Sequence, residues 1–146
     1  MVDWKKQLSF EEVEIGKEIP PVSIPITLQR LVMEAGANRD FSPIHYDGEI
    51  AQATGAPDAY ANTFFILAMF ERSLREWAGL RGTIRKIGPF RMKMFNCVDD
   101  VMTYKGKVKD KYQENGNNIV KLDIWCETHK GQTVTGEAIV MLPRKG

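Results

Sequence analysis

Residues 62–79 read Asn62-Thr-Phe-Phe-Ile-Leu-Ala-Met-Phe-Glu-Arg-Ser-Leu-Arg-Glu-Trp-Ala-Gly79 and predict one long helix. Asn62 is a favoured N-cap residue, and Gly79 is a favoured residue at a helix end. The first two turns, as far as Phe70, are apolar on every side, and charged residues alternate with apolar ones only beyond that point. A helix that is hydrophobic all round must be wrapped on most sides. The stretch therefore predicts a central helix buried by the rest of the chain.

The sequence after this helix has the period of antiparallel strands. Apolar and polar residues alternate over residues 90–94, 120–126 and 134–142, which is the pattern of strands with one buried face. Turn sequences at 114–117 and 129–131 separate these segments at hairpin spacing. The pattern predicts an α+β fold in which an antiparallel sheet curls around the helix.

The segment before the helix predicts a rigid entry strand and two shorter helices. Residues 19–25 carry three prolines, which are tolerated in an edge strand. Thr27 is a suitable N-cap for the next helix, and Gly36 is expected to close it in the left-handed conformation. A further short helix is expected over 48–54, with Gly55 as its stop. The apolar positions of the first of these helices are Leu28, Leu31, Val32 and Ala35.

Residues 40–47, between the two short helices, read Asp40-Phe-Ser-Pro-Ile-His-Tyr-Asp47 and place an acid and an imidazole in one loop. Pro43 fixes its own φ and biases Ser42 towards an extended backbone. The side chains of Asp40 and His45 can therefore converge on one water molecule. Taken alone, the two residues also fit structural roles, with Asp40 capping a turn and His45 partly buried.

The octapeptide resembles the D-x-N-P-I/L-H-x-D signature of the MaoC-like (R)-specific enoyl-CoA hydratases and dehydratases. The resemblance runs over about residues 27–142 and is most specific over 35–78, and it departs from the signature at Ser42, where the family has Asn. It implies a hotdog fold, a curved antiparallel sheet around a long central helix, in one domain over 1–146.

The resemblance also implies a chemistry. Enzymes of this family add water reversibly to a trans-2-enoyl-CoA and form a 3-hydroxyacyl-CoA, so the implied class is a hydro-lyase. Asp40 and His45 stand at the positions of the acid/base pair. In the family, these two residues together bind the catalytic water and carry out the proton transfers.

A second departure lies at the start of the central helix. The family has an A-H-G-like tripeptide there, and the Gly amide binds the thioester carbonyl; the matching residues are Tyr60, Ala61 and Asn62. The resemblance implies that the Asn62 N–H is the oxyanion donor, where the helix dipole favours negative charge. Two alternatives remain for the Asn62 side chain: it also donates to the oxyanion, or it only caps the helix. If the backbone N–H alone binds the oxyanion, Asn62→Gly is expected to keep its activity. Asn62 and the run 39–41 resemble the short single-hotdog subunits of steroid side-chain hydratases more than the homodimeric fatty-acid hydratases.

Several other residues are candidates for contacts with the substrate. Basic residues cluster between positions 81 and 93 and suit the phosphates of coenzyme A, although a solvated strand face is the alternative. Arg85 and Arg91, together with Ser42, are the expected substrate-binding residues. Glu71 lies on the central helix, where some hotdog thioesterases place a carboxylate, but a solvated side chain is expected. No metal ligand cluster is present in the sequence, and no cofactor is expected beyond the coenzyme A of the substrate.

Composition argues against several classes of protein. The chain has 146 residues, is 43% hydrophobic and 27% charged, and carries a formal net charge of +1; these values suit one soluble domain and no nucleic-acid partner. Its longest apolar run, 64–70, is too short for a membrane span. Cys97 and Cys126 lack C-x-x-C spacing, and residues 1–6 lack the apolar core of a signal peptide. We expect reduced thiols, a cytoplasmic protein and no membrane partner.

These observations predict a subunit of an enoyl-CoA hydratase or dehydratase. It is expected to act on an acyl-CoA thioester as a homodimer or as a hetero-oligomer with another hotdog subunit. The alternatives are a hotdog acyl-CoA thioesterase and a non-catalytic acyl-binding partner subunit. The intact Asp40 and His45 argue against the second alternative.

Overall fold

The computed structural model describes Asp3 and residues 5–145. Met1, Val2, Trp4 and Gly146 lie outside the described residues, and so does part of the N-terminal hexapeptide on which the expectation of no signal peptide rests. The α-helices are α1 (Leu28–Asn38), α2 (Gly48–Ala53) and α3 (Thr63–Ala78). The strands are β1 (Val22–Pro25), β2 (Thr83–Met92), β3 (Val101–Glu114), β4 (Asn117–Thr128) and β5 (Gly131–Met141). Short 3₁₀ helices cover Phe10–Glu12 and Pro43–His45.

The five strands form one antiparallel sheet in the order β1-β3-β4-β5-β2. The proline-rich β1 pairs only with β3, so the prediction of an edge strand is confirmed. β3 and β4 are joined by Asn115 and Gly116, which have φ values of 49° and 78°. Two positive φ values in a two-residue loop match the hairpin turns that fit the twist of the strands. The turn predicted at this position is therefore confirmed.

Helix α3 packs along one face of the sheet. Its inward residues are Ile66, Phe70, Leu74 and Ala78, and they belong to the same buried cluster as the inward residues of β3, β4 and β5. Phe70 is 1% exposed, and its ring centroid lies 4.8 Å from that of Tyr104 and 5.0 Å from that of Phe90. Asn62 caps the helix and Gly79 follows its last residue. The predicted α+β fold, an antiparallel sheet packed on a long central helix, is confirmed.

The start of α3 is less covered than the sequence predicts. Phe64 is 65% exposed and Ala68 is also exposed, so the expectation that this part of the helix is wrapped on most sides is wrong for the single chain. The reason is that one sheet covers only one side of a helix, and α1 leaves part of the opposite side open. An apolar surface therefore remains at the N-terminal end of α3.

Helix α1 begins as predicted but ends later. Thr27 accepts a hydrogen bond from the Arg30 N–H at 3.2 Å, which confirms the N-cap. Gly36 is not the cap, because the helix continues to Asn38 and Arg39 takes the left-handed conformation with φ 56°. The buried face also differs from the predicted one, because it consists of Leu31, Glu34 and Ala35. Leu28 and Val32, which were expected to be buried, are about half exposed.

Both cysteines are buried free thiols. Burial raises the pKa of the Cys126 thiol to about 11, and it also raises the pKa of Cys97. These thiols are poor nucleophiles at neutral pH, because the reactive species is the thiolate. Within residues 5–145, no helix combines the length and the apolar character that a bilayer span requires.

Candidate active site

The loop between α1 and α2 brings Asp40 and His45 together. The 3₁₀ turn Pro43–His45 folds the chain back, so that Asp40 Oδ2 lies 3.2 Å from His45 Nε2. The His45 side chain is 6% exposed and the Asp40 side chain is 39% exposed. The imidazole is thus held inside the protein while the carboxylate faces the solvent. The two residues singled out by the sequence are in contact.

The other nitrogen of His45 is fixed by the backbone. Nδ1 lies 2.8 Å from the carbonyl oxygen of Tyr60, and a carbonyl oxygen only accepts hydrogen bonds. Nδ1 must therefore carry a proton, which is a tautomer assigned from the hydrogen-bond partner. Nε2, which faces Asp40, is left as the nitrogen that gains or loses a proton.

Asn62 connects the central helix to this pair. Its Oδ1 accepts a hydrogen bond from the Phe65 N–H at 2.9 Å, which confirms the predicted N-cap. Its Nδ2 donates to Asp40 Oδ2 at 3.1 Å. Both ends of the Asn62 amide therefore make hydrogen bonds within the protein. Neither alternative from the sequence included a hydrogen bond from Asn62 to Asp40. No backbone carbonyl of the described residues accepts from the Asn62 N–H.

Sequence reasoning missed two polar residues of this cluster, Glu34 and Asn38. Glu34 is 6% exposed, and its Oε1 accepts a hydrogen bond from Asn38 Nδ2 at 2.7 Å. Burial is the main cause that raises the pKa of the Glu34 carboxyl, while the hydrogen bond from the Asn38 side chain and the nearby backbone N–H of Asn62 act in the opposite direction. The signal was present in the sequence: Glu34 stands three residues after Leu31 and one before Ala35, on the face of α1 that packs inward.

A cavity of about 410 Å³ lies between α1 and α3, next to the polar cluster. Its lining includes Met33, Glu34, Asn38, Phe64, Phe65 and Met69. Mostly apolar walls with a few polar groups are typical of sites that bind small molecules. The exposed start of α3 thus forms one wall of a cavity that includes Glu34 and Asn38; Asp40, His45 and Asn62 are not among its lining residues.

The remaining candidates are placed differently. The Ser42 N–H donates to Asp40 Oδ1 at 3.4 Å, so Ser42 belongs to the cluster. Arg91 lines a groove of about 750 Å³ together with Asp123 and Trp125; these two alternate with the buried Leu122 and Ile124 and so mark the sheet face away from α3.

Arg85 lies near the other end of the same strand. It lines a shallow depression with Tyr112 and Glu114, about 20 Å along β2 from Arg91 by the rise of a strand. No described contact joins Arg85 or Arg91 to the Asp40–His45 pair, and their contact with coenzyme A stays a prediction.

Glu71 does not belong to the cluster. Its side chain is 60% exposed and lies 3.7 Å from Arg75 on the next turn of α3. This placement supports a solvated surface residue, so Glu71 does not supply the central-helix carboxylate that the thioesterase alternative expects. Across the part of the chain that the structure describes, no three His, Cys, Asp or Glu side chains group in a way that could hold a metal ion.

Comparison with known proteins places the fold. No protein-family profile matches the chain. The 3-oxo-4,17-pregnadiene-20-carboxyl-CoA hydratase beta subunit of Mycobacterium tuberculosis is 29% identical over 94 residues, which are 64% of this chain and 72% of that protein. The crystal structure of the ChsH1-ChsH2 complex of the same organism has a TM-score of 0.80 at 23% identity, over 88% of this chain and 98% of that one.

Two further solved structures show the same architecture. The R-hydratase PhaJ1 of Pseudomonas aeruginosa has a TM-score of 0.84 at 20% identity, over 95% of this chain and 88% of that one. A MaoC-like dehydratase of Rhodospirillum rubrum has a TM-score of 0.81 at 17% identity, over 95% of this chain and 99% of that one. The chain therefore has the hotdog fold of the MaoC-like (R)-hydratases. The similar proteins of M. tuberculosis and P. aeruginosa are themselves named as hydratases.

Proposed function

We propose that this chain is a catalytic subunit of an enoyl-CoA hydratase, which adds water reversibly to a trans-2-enoyl-CoA. The observation that carries the proposal is the contact of 3.2 Å between Asp40 Oδ2 and His45 Nε2. The Tyr60 carbonyl holds the far side of the ring at 2.8 Å, so the proton that can move lies between the two side chains. An acid and a base at one point, one of them open to solvent, suit the addition of water to a double bond.

The proposed step starts from the carboxylate of Asp40 and the charged imidazole of His45. Asp40 takes a proton from a water molecule, and the oxygen of that water forms a bond to C3 of the enoyl group. The π electrons move towards the thioester carbonyl, and the Nε2–H of His45 then delivers its proton to C2. The proton on Asp40 returns to Nε2 across their 3.2 Å contact. The sum is one water added, and each side chain regains its starting form.

The negative charge that develops on the thioester oxygen needs a donor. We assign this role to the backbone N–H of Asn62 at the start of α3, where the helix dipole favours an anion; the same N–H faces the Glu34 carboxyl. The Asn62 side chain is already bound to Phe65 and Asp40, which supports the backbone amide over the side chain as the oxyanion donor. Developing charge at this point also favours a neutral Glu34, in agreement with the raised pKa of that buried carboxyl.

The cavity between α1 and α3 is the proposed site for the acyl tail. Its volume of about 410 Å³ and its lining by Met33, Phe64 and Met69 suit an apolar group. The similar hydratase beta subunit is named for a steroid carboxyl-CoA, and a bulky apolar tail of that kind is the substrate class that we propose. The coenzyme A end is proposed to reach the basic residues of β2, Arg85 or Arg91.

The functional unit is proposed to contain more than one hotdog chain. Support comes from the exposed Phe64 and Met33, both 65% exposed, and from the similarity to a complex of ChsH1 and ChsH2. A second chain that covers these side chains would close the cavity from the open side. Exclusion of water would also strengthen the polar contacts at Asp40.

Spectrophotometric assays of purified protein with a 2-enoyl-CoA and with the matching saturated acyl-CoA test the proposal. A hydratase consumes the enoyl thioester, forms the 3-hydroxyacyl-CoA and leaves the saturated thioester intact. Release of free coenzyme A from both would instead show a thioesterase. If no hydration occurs with the chain alone or in its native complex, the proposed function is wrong.

A further inference from the structure

Glu34 is a buried carboxyl that the proposed reaction does not use. It is 6% exposed, and its Oε2 is closed to solvent and makes no hydrogen bond to a described residue. Since no substrate atom can reach the closed Oε2, this oxygen can affect the reaction only through its neighbours. Its hydrogen-bonded side-chain neighbour among the described residues is Asn38, and the backbone N–H of Asn62 also faces the carboxyl.

The hydrogen bonds from Glu34 lead in one direction to Asp40. Asn38 Nδ2 donates to Glu34 Oε1 at 2.7 Å and also lies 3.4 Å from Asn62 Oδ1. Asn62 Nδ2 in turn donates to Asp40 Oδ2 at 3.1 Å. The order matters because an amide has a donor end and an acceptor end. The Glu34 oxygen holds the amino group of Asn38 in place, and that group joins the Phe65 N–H in donating to the Asn62 oxygen. The Asn62 amino group is thereby left for Asp40.

We propose that Glu34 is a positioning residue that, through the amides of Asn38 and Asn62, fixes the orientation of Asp40 towards His45. The kinetic part of this inference rests on the proposed hydratase function, whereas the structural part does not. Networks of this kind hold a reacting group in one geometry when every member has its partner. Glu34 and Asn38 both lie on α1, and the last turn of this helix leads directly into the Asp40 loop.

The charge around Glu34 fits this role. The charged groups near it are the Asp40 carboxylate and the His45 imidazole, and Arg30 and Arg72 line the adjacent cavity. Burial raises the pKa of Glu34, and the nearby Asp40 adds to this effect. An oxygen of the carboxyl accepts from Asn38 whether or not the group is protonated, so the chain of hydrogen bonds persists in both forms.

Three substitutions test the direction of the hydrogen bonds. Asn38→Asp keeps the shape of the side chain but removes the donor, and it should disturb Asp40. Glu34→Leu removes the acceptor of Asn38 and should also disturb Asp40, whereas Glu34→Gln restores an oxygen acceptor and should recover part of the effect. Asn38 lies at the exposed end of α1, where a change of this size is compatible with folding. Ser73→Ala is the matched control, because Ser73 is also a buried residue of this core whose hydroxyl has no described partner.

The first readout needs no substrate. The chain contains two histidines, so ¹⁵N-histidine NMR at fixed pH reports the ring of His45, with the exposed His129 as an internal reference. We expect the Nε2 shift of His45 to change in Asn38→Asp and in Glu34→Leu, to return towards wild type in Glu34→Gln, and to stay at wild type in Ser73→Ala. Unchanged His45 shifts in folded Asn38→Asp overturn the inference, whatever the activity.

The second readout is steady-state hydration of a 2-enoyl-CoA. We expect kcat of Asn38→Asp to fall about threefold to tenfold, as for the loss of one hydrogen bond between neutral groups, with a smaller change in KM. A kcat equal to wild type in that variant also overturns the positioning role. If the wild type itself shows no hydration while the His45 shift responds as expected, the proposed function fails and the structural inference stands.

Discussion

At the scale of single residues, the tautomer of His45 is decided by an atom outside the motif. The Tyr60 carbonyl lies 2.8 Å from Nδ1 and leaves only Nε2 free to exchange a proton with Asp40. The sequence motif indicates which two side chains meet, because Pro43 restricts the loop. It does not indicate which nitrogen is active, since Tyr60 is distant along the chain and reaches His45 only in the folded protein.

Asp40→Asn and His45→Ala test the pair. Each removes a group that transfers a proton, so each should lower the turnover of 2-enoyl-CoA by ~10²–10⁴-fold while the fold persists. His129→Ala is the control, because the His129 side chain is 72% exposed. Circular dichroism confirms folding and a continuous assay gives kcat. Near-normal hydration by either variant of the pair contradicts the assignment.

Asn62 is the residue at which the structure changes the expectation most. Asn62→Gly and Asn62→Ser both keep the backbone amide, but both lose the donor to Asp40 that the side chain supplies at 3.1 Å. Turnover should therefore fall in both, by about tenfold to a hundredfold, the range for hydrogen bonds to charged groups. Ser caps helices about as well as Asn, so Asn62→Ser should melt close to wild type. Full activity in both variants would show that only the backbone N–H of Asn62 contributes to the reaction.

At the scale of elements, α1 shows what periodicity can and cannot predict. Its existence and its N-cap at Thr27 follow from local chemistry, which the sequence contains. Its end and its buried face depend on tertiary packing, which turns Leu31 and Glu34 inward and leaves Val32 outside. A Glu between apolar residues of one helical stripe is a usable signal, but an interpretation that counts only apolar residues passes over it.

The pH dependence of stability should reveal the buried carboxyl of α1. Burial raises the pKa of Glu34 in the folded chain, so the folded state binds this proton more tightly than the unfolded one. The resulting stabilisation is complete below the unfolded pKa, about 4.3 for Glu, and is lost as pH rises through the folded value. Glu34→Gln does not titrate, so its Tm minus that of wild type should increase with pH from about 4 upward. A constant difference between the two proteins contradicts a buried, titrating Glu34.

Helix α3 has an inward and an outward aromatic residue that make a matched pair. Phe70 is 1% exposed and packs on Tyr104 and Phe90, so Phe70→Ala should reduce the free energy of unfolding by about 3–5 kcal/mol. Phe64 is 65% exposed, so Phe64→Ala should change this free energy little at a protein concentration where the chain is monomeric. Urea denaturation of the two variants measures the difference. Equal losses of stability would contradict the described packing of α3.

The antiparallel pairing of the sheet could be predicted from the sequence, but the positions of Arg85 and Arg91 relative to the site could not. Alternation of apolar residues along β4 and β5, with Gly turns between the strands, indicates antiparallel pairing from local chemistry. The location of Arg85 and Arg91 depends on the length of β2 and on which face each side chain takes. These features are set by pairing with β5, whose register the sequence of β2 does not contain.

At the scale of the whole molecule, the chain leaves surfaces that a single copy does not cover. The sheet ends in β1 and β2, each paired on one side among the described residues, and unpaired edges are usually covered or joined to another chain. The start of α3 adds exposed apolar side chains next to the proposed acyl cavity. Both features favour assembly with a second hotdog subunit, identical or different.

We therefore expect a hydrodynamic mass at least twice the 16.6 kDa of the chain. Sedimentation velocity at several concentrations measures it, and hydration activity should follow the assembled fraction, because the partner closes the cavity beside Asp40. Phe64→Glu places a charge on the exposed apolar wall and should shift the distribution towards the monomer, whereas His129→Glu, at an exposed turn, should not. A wild-type chain that is monomeric and inactive would exclude the homodimer and leave the hetero-oligomer. A monomer that hydrates 2-enoyl-CoA at full rate would show that the exposed wall of α3 needs no second subunit.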